Sequence, residues 1–213
     1  MQMRTFRIAA AAIAGALALA SAPASAQAWH YAAFQPADVT ANEANFIVSG
    51  FGDYGTSFVG QYRWSVEKRT QIWADVGLNS VSGTTGFLVG VAGLWNFMTP
   101  TPDKPIDVSG TFGIYGAFSS DIGVVRFPIG VNVGHTWKLD NGRSLQAFAF
   151  PRLSIDVCTS TCSGTYGVLN FDLGASYELT SAMSARAAFT FGGIANGNSQ
   201  TGFGVSLAFK TGK

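Results

Sequence analysis

The sequence predicts an all-β chain, an antiparallel up-and-down transmembrane β-barrel of about ten strands with eight as the alternative. Three observations predict it. Apolar residues recur at every second position over most of the chain after Asn45, which is the period of a pleated strand. Nearly every charge inside those segments falls on the opposite face. The 213 residues are 47% hydrophobic and only 12% charged, about half the charged share of an ordinary soluble domain, roughly 25%. Gly at 26 and Phe at 17 residues is a pairing that disfavours helices and suits sheets.

The first 26 residues read differently. Arg4 and Arg7 form a positive start, Ile8–Ala20 an apolar run, and Ala24-Ser25-Ala26 a small-residue cleavage site. A secretory signal peptide over 1–26, cut after Ala26, is expected. A retained membrane helix is the alternative, disfavoured because the run falls short of the ~20 residues a span needs. Cleavage leaves 11 basic residues against 12 acidic ones, a net charge of −1. That balance excludes a nucleic-acid partner, which would want a strongly basic stripe. Residues 27–44 are assigned to an N-terminal periplasmic segment and 45–213 to the barrel.

The elements follow in order. The first strand, near Phe46–Gly52, fits either register. Phe58–Glu67 points Phe58, Tyr62, Trp64 and Val66 one way, Gln61, Arg63, Ser65 and Glu67 the other. Gln71–Asn79 aligns Ile72, Ala74, Val76 and Leu78, and Gly86–Phe97 aligns Phe87, Val89, Val91, Trp95 and Phe97. After the proline-rich turn Thr99–Pro105 come Ile106, Val108, Phe112, Ile114 and Phe118. Val124–Leu139 is the longest run and ends in Asp140-Asn141-Gly142, a hairpin turn whose Asn and Gly tolerate positive φ. Its partner spans Leu145–Val157. Leu169–Leu179, Ala187–Phe191 and Phe203–Phe209 complete the set.

The second face defines the candidate site. Arg63, Arg126, Arg152 and Arg186 share it with Glu67, Asp75, Asp107, Asp156, Asp172 and Glu178, among many Gly and Ala. A sandwich's wet faces would be rich in Lys, Glu and Thr. Small residues beside opposite charges suit a closed interior. A barrel of this size has room mainly for its own side chains, so the ten groups are expected to form an ion-pair network that plugs the lumen. Trp73, Phe148 and Phe150 fall on the polar face, as lumen plugs or as the mark of a register-shifting bulge. Tyr62, Trp64, Trp95, Trp137 and Tyr177 lie near segment ends, where interfacial girdles belong.

A signal peptide, meandering strands ending in Gly-Phe-Gly-Val-Ser-Leu-Ala-Phe, and an Arg and carboxylate interior resemble the small outer-membrane β-barrels of Gram-negative bacteria, the OmpA-like and opacity-type superfamily. The resemblance spans Phe46–Phe209 and lies in architecture. It implies a bacterial outer-membrane location, contact with membrane lipid and lipopolysaccharide, and recognition of the last strand by the barrel-assembly machinery. Phe203, Val205, Leu207 and Phe209 match that terminal pattern, and Lys210–Lys213 depart from it by extending past the aromatic.

Cys158 and Cys162 sit close together in a Ser, Thr and Gly-rich loop of an exported chain, so a disulfide bracing the loop is expected. Free thiols or a metal site are the alternatives, although zinc usually needs four ligands and no His lies nearby. His30 and His135 are the only histidines. His135 falls on the apolar face and His30 before the barrel, and neither has a Ser or carboxylate partner on its face. The sequence therefore predicts no enzyme, no cofactor and no metal. It predicts a structural or surface-interaction barrel, with an extracellular partner left open. A narrow pore for ions or small solutes and a soluble periplasmic barrel binding an apolar ligand are the alternatives.

Overall fold

The computed structural model describes residues 41–50, 55–81, 83–120, 122–160, 164–193 and 199–212. Ten antiparallel strands run β1 (Glu43–Gly50), β2 (Thr56–Glu67), β3 (Thr70–Val81), β4 (Thr84–Met98), β5 (Asp107–Phe118), β6 (Ile122–Lys138), β7 (Ser144–Ser160), β8 (Gly164–Thr180), β9 (Met183–Gly193) and β10 (Ser199–Lys210). Each pairs with its sequence neighbour, and β1 pairs with β10, so the sheet closes into an up-and-down barrel with no free edge. The strand count is ten and not eight, and β1 takes in Glu43, two residues earlier than the sequence boundary. The signal-peptide segment and His30 lie outside the described residues.

Alternation dictates the partition. Phe46, Phe58, Val76, Phe112, Ile129 and Leu169 stand outward, with Phe112 67% and Leu169 69% exposed. Their strand neighbours Asn45, Gln61, Asp75, Thr111, Asn132 and Asn170 are buried in the lumen. A one-residue slip would exchange the two sets, and this fixes β1 in the register that sends Asn45 and Ile47 inward.

The hairpin at Asp140-Asn141-Gly142 forms as its sequence demands. Gly142 takes φ 76°, its amide donates to Leu139 O at 2.9 Å, and Asn141 Oδ1 accepts from the Arg143 amide at 3.0 Å. The tail past Phe209 is tied down. Lys210 pairs with Glu43, the Thr211 amide donates to Asn42 O at 3.0 Å, and the Thr211 hydroxyl lies 3.0 Å from Tyr62 Oη. Connections 68–69, 99–106, 139–143 and 181–182 sit at the end that carries the chain termini, and 51–55, 82–83, 119–121, 161–163 and 194–198 at the other. The longest, 99–106, is at the terminus end.

Two prolines interrupt the ladder. Pairing of β5 with β6 steps from Phe112–Ile129 to Tyr115–Arg126 around Pro128. Pairing of β6 with β7 skips from Gly130–Arg152 to Val133–Ala149 beside Pro151. A proline has no amide hydrogen to give the ladder.

The lumen as candidate functional site

The lumen is built from the inward positions of all ten strands, and it has two kinds of filling. One is apolar: Ile47, Val59, Leu88, Ala117, Phe148 and Ala188 pack as a cluster. The other is polar and ionic. Direct cross-strand placement of Arg126 opposite Asp156 gives a two-point pair, with Arg126 Nε donating to Oδ1 at 2.7 Å and Nη2 to Oδ2 at 2.5 Å. Arg152 reaches diagonally to Asp172, with Nε to Oδ2 at 2.9 Å, while Thr190 donates to the other oxygen of the same carboxylate at 2.5 Å. Arg186 spans β10 to reach β1. Its Nη2 donates to both oxygens of Glu43 at 2.8 Å and its Nη1 to Asn45 Oδ1 at 2.9 Å. Such forked pairs are the strong class of charge-assisted hydrogen bond, and the last one clamps the seam where the barrel closes.

Arg63 is held another way. It is fully buried, its guanidinium carbon lies 4.9 Å from the centre of the Trp73 ring, and among the described residues none accepts a hydrogen bond from its Nε, Nη1 or Nη2. Glu43 and Asp75 are near enough for their charges to favour it, and Arg186 near enough to oppose it. Trp73 Nε1 donates to Tyr115 Oη at 3.0 Å, and Gln61 stands directly opposite Asp75 on the β2–β3 pair. Gln61 in turn accepts from Asn45 Nδ2 at 3.2 Å. Polar side chains of β5, β3, β2 and β1 thus share this part of the lumen.

Aromatic rings share the lumen. Trp73, Tyr115, Phe148 and Phe150 are all buried, and their strands carry no register shift at these positions, so the rings turn inward by regular alternation and not by a bulge. Room for them comes from facing glycines. A Cβ built at Gly90 would meet the Tyr115 ring at 2.0 Å, and one at Gly174 would meet Phe148 at 2.3 Å. These close approaches explain the glycines at positions 90 and 174.

Of the ten residues expected in the network, Arg126, Asp156, Arg152, Asp172 and Arg186 form direct ion pairs. Arg63, Asp75 and Asp107 are buried in the same lumen. Glu67 is corrected: it is exposed beside the tight 68–69 turn, because a bulge between Ser65 and Glu67 breaks the alternation there. Glu178 is half-buried at the rim, where its Oε2 accepts from the Ser144 amide at 3.1 Å. The sequence reading missed Glu43, although Glu43 and Asn45 already alternate with Phe46 and Val48. Cys158 is buried near the end of β7, and Cys162 lies outside the described residues. His135 is half-buried and stacks edge-on with Trp137 at 4.3 Å, with its Nδ1 against the Pro105 carbonyl.

The girdle residues also resolve. Tyr62, Trp64, Trp95, Trp137 and Tyr177 all stand on the outer side near the terminus end of their strands, so they make one belt at one rim. Tyr62 meets Trp64 edge-to-face with ring centres 4.8 Å apart, and Trp95 meets Phe97 in the same way at 5.3 Å.

No family profile and no curated protein sequence matches the chain. Solved structures do. A bacterial polysaccharide outer membrane secretin aligns with a TM-score of 0.51 at 12% identity, over 81% of this chain and 66% of that one, so the chain spans just under two thirds of its length. The β domain of the Bordetella autotransporter BrkA aligns at 0.47 and 9% identity, over 80% of this chain and 98% of that one. The N-terminal barrel of Pseudomonas aeruginosa OprF aligns at 0.36 and 14% identity, over 79% and 97%. With its closed ten-strand order, apolar exterior and ion-paired interior, the chain has the fold of the bacterial outer-membrane β-barrels.

Proposed function

We propose that the protein is a non-catalytic barrel of the bacterial outer membrane, inserted by the barrel-assembly machinery, with a lumen closed by its own side chains and a structural role in the envelope. The observation that carries this reading is the filling of the lumen. Three arginine–carboxylate pairs with side chains at most 7% exposed and four buried aromatic rings point into the lumen, which supports a closed cross-section. The outer face supports the membrane location, since large side chains such as Phe46, Ile129 and Leu169 are more than 60% exposed, and water makes such a band unfavourable at about 25 cal/mol per Å². The same partition weighs against a soluble ligand-binding barrel, which would carry its apolar residues inside. Short connections between strands offer little surface for display, so the structural role is favoured over adhesion.

A narrow pore is the second reading, and one observation favours it. The buried Oε1 of Gln71 and the hydroxyls of Ser109, Ser154 and Ser206 find no hydrogen-bond partner among the described residues, and buried polar groups normally have partners, water included. Planar-bilayer recording separates the two. The closed barrel gives no steady single-channel steps, whereas stable, ion-selective steps would sink the closed-lumen reading and leave the pore.

A further inference from the structure

The lipid-facing surface is not uniform. Across β4 to β8, two neighbouring cross-strand rows differ in height. One row runs through Phe112, Ile129 and Leu153 to Leu169 along direct pairs, and Phe112, Ile129 and Leu169 are among the most exposed large side chains of the molecule. The adjacent row runs from Trp95 through Gly110 to Val131 and on to Pro151, and it is low. Gly110 has no side chain, Val131 a short one, and Pro151 lies where the β6–β7 ladder is interrupted. The outcome is an almost wholly apolar trough of about 540 Å³, bounded at one end by the edge-to-face Trp95 and Phe97 rings.

Its course and length point to an occupant. Trp95 and Gly110 lie three residues from the terminus-side ends of their strands, and Val131 and Pro151 seven. The trough thus climbs from the aromatic belt toward mid-strand, and Leu169 of the high row flanks its far end. Three strand spacings of ~4.8 Å make the low row roughly 14 Å long. Inclined near 45°, as cross-strand rows are when strands tilt by that angle, it rises roughly 10 Å. That lies within the ~15 Å depth of one leaflet of a hydrocarbon core about 30 Å thick, so the whole trough faces the acyl chains of a single leaflet.

We propose that this trough is a binding site for one acyl chain of a phospholipid in the leaflet on the terminus side, with the chain lying along Gly110, Val131 and Pro151 and its headgroup end at the Trp95–Phe97 belt. The site rests on the reading of the protein as a membrane barrel. A lipid seated against the raised row loses less contact when the protein leaves the bilayer than one lying on a smooth wall, because Phe112, Ile129, Leu153 and Leu169 add dispersion contacts along its side.

The test uses the full protein reconstituted in phosphatidylethanolamine–phosphatidylglycerol vesicles, extracted gently into detergent and weighed by native mass spectrometry. Wild type retains one phospholipid. Val131→Trp fills the trough and lowers retention by roughly tenfold, the change that ~1.4 kcal/mol produces. Val91→Trp, another outward valine away from the trough, retains lipid as wild type does. Equal retention by all three proteins overturns the proposal. So does a wild-type dimer that Val131→Trp turns into a monomer, because the occupant would then be a second copy of the chain. Gel mobility before and after boiling reports separately on the barrel: loss of that shift in wild type, with release in the soluble fraction, would sink the membrane reading itself.

Discussion

Four arginines enter one lumen and are held in two different ways. Arg126, Arg152 and Arg186 each fork onto a carboxylate at 2.5–2.9 Å. Arg63 is as deeply buried, yet it rests on the face of Trp73 and feels its acids, Glu43 and Asp75, only at longer range. The difference teaches what a buried charge needs. A forked pair meets desolvation with two short hydrogen bonds to an opposite charge, so each partner depends on the other. A ring face returns at most ~2 kcal/mol or slightly more when desolvated, so Arg63 contributes little net stability for the charge it buries.

Breaking a forked pair gives the largest expected effect. Asp156→Ala leaves the Arg126 guanidinium buried without its carboxylate and costs about 3–5 kcal/mol. Urea titration of the barrel in lipid vesicles, read by Trp fluorescence, measures it. The double variant Arg126→Met with Asp156→Met removes both charges, and recovers most of that loss because well-packed apolar groups replace a buried pair at little net cost. A single variant as stable as wild type would mean that the pair is open to water in the membrane.

Arg63→Met sharpens the contrast. It deletes a guanidinium that has no hydrogen-bond acceptor among the described residues and leaves Glu43 with Arg186, and Asp75 opposite Gln61. Stability in the same titration should move by no more than about 1 kcal/mol in either direction, since the lost ring contact and the relieved desolvation offset each other. A loss as large as that of Asp156→Ala would place Arg63 in a tight pair and erase the distinction.

Most of the barrel was legible because a strand's period is two and only one assignment of faces keeps Phe112, Ile129 and Leu169 away from Arg126 and Asp172. Even the misfit rings were legible as such: Trp73, Phe148 and Phe150 follow the register inward, and Gly174 and Gly130 make room for the two phenylalanines. Pairing was less legible. Arg126 and Asp156 meet because β6 and β7 pair at those positions, a register that the Asn141-Gly142 turn helps to set. Arg186 and Glu43 meet across β10, which needs the closed circle and has no local signal. The outer trough depended on a row of short residues on three different strands, which no single segment reveals.

Glu67 is the place where period two misled, and it carries the smallest expected effect. Counted from Arg63 it belongs inside with Asp156. The bulge between Ser65 and Glu67 inserts one residue, and Glu67 pairs with Thr70 at the 68–69 turn with its side chain in solvent. Its carboxylate keeps its hydration, so Glu67→Gln removes no buried pair and should change stability by less than about 0.5 kcal/mol. The same urea titration decides it. A cost near that of Asp156→Ala would mean that β2 runs unbulged to its end and that Glu67 completes an ion pair with Arg63. The two kinds of arginine site would then collapse into one, so the variant with the least expected change tests why Arg63 stands on a ring.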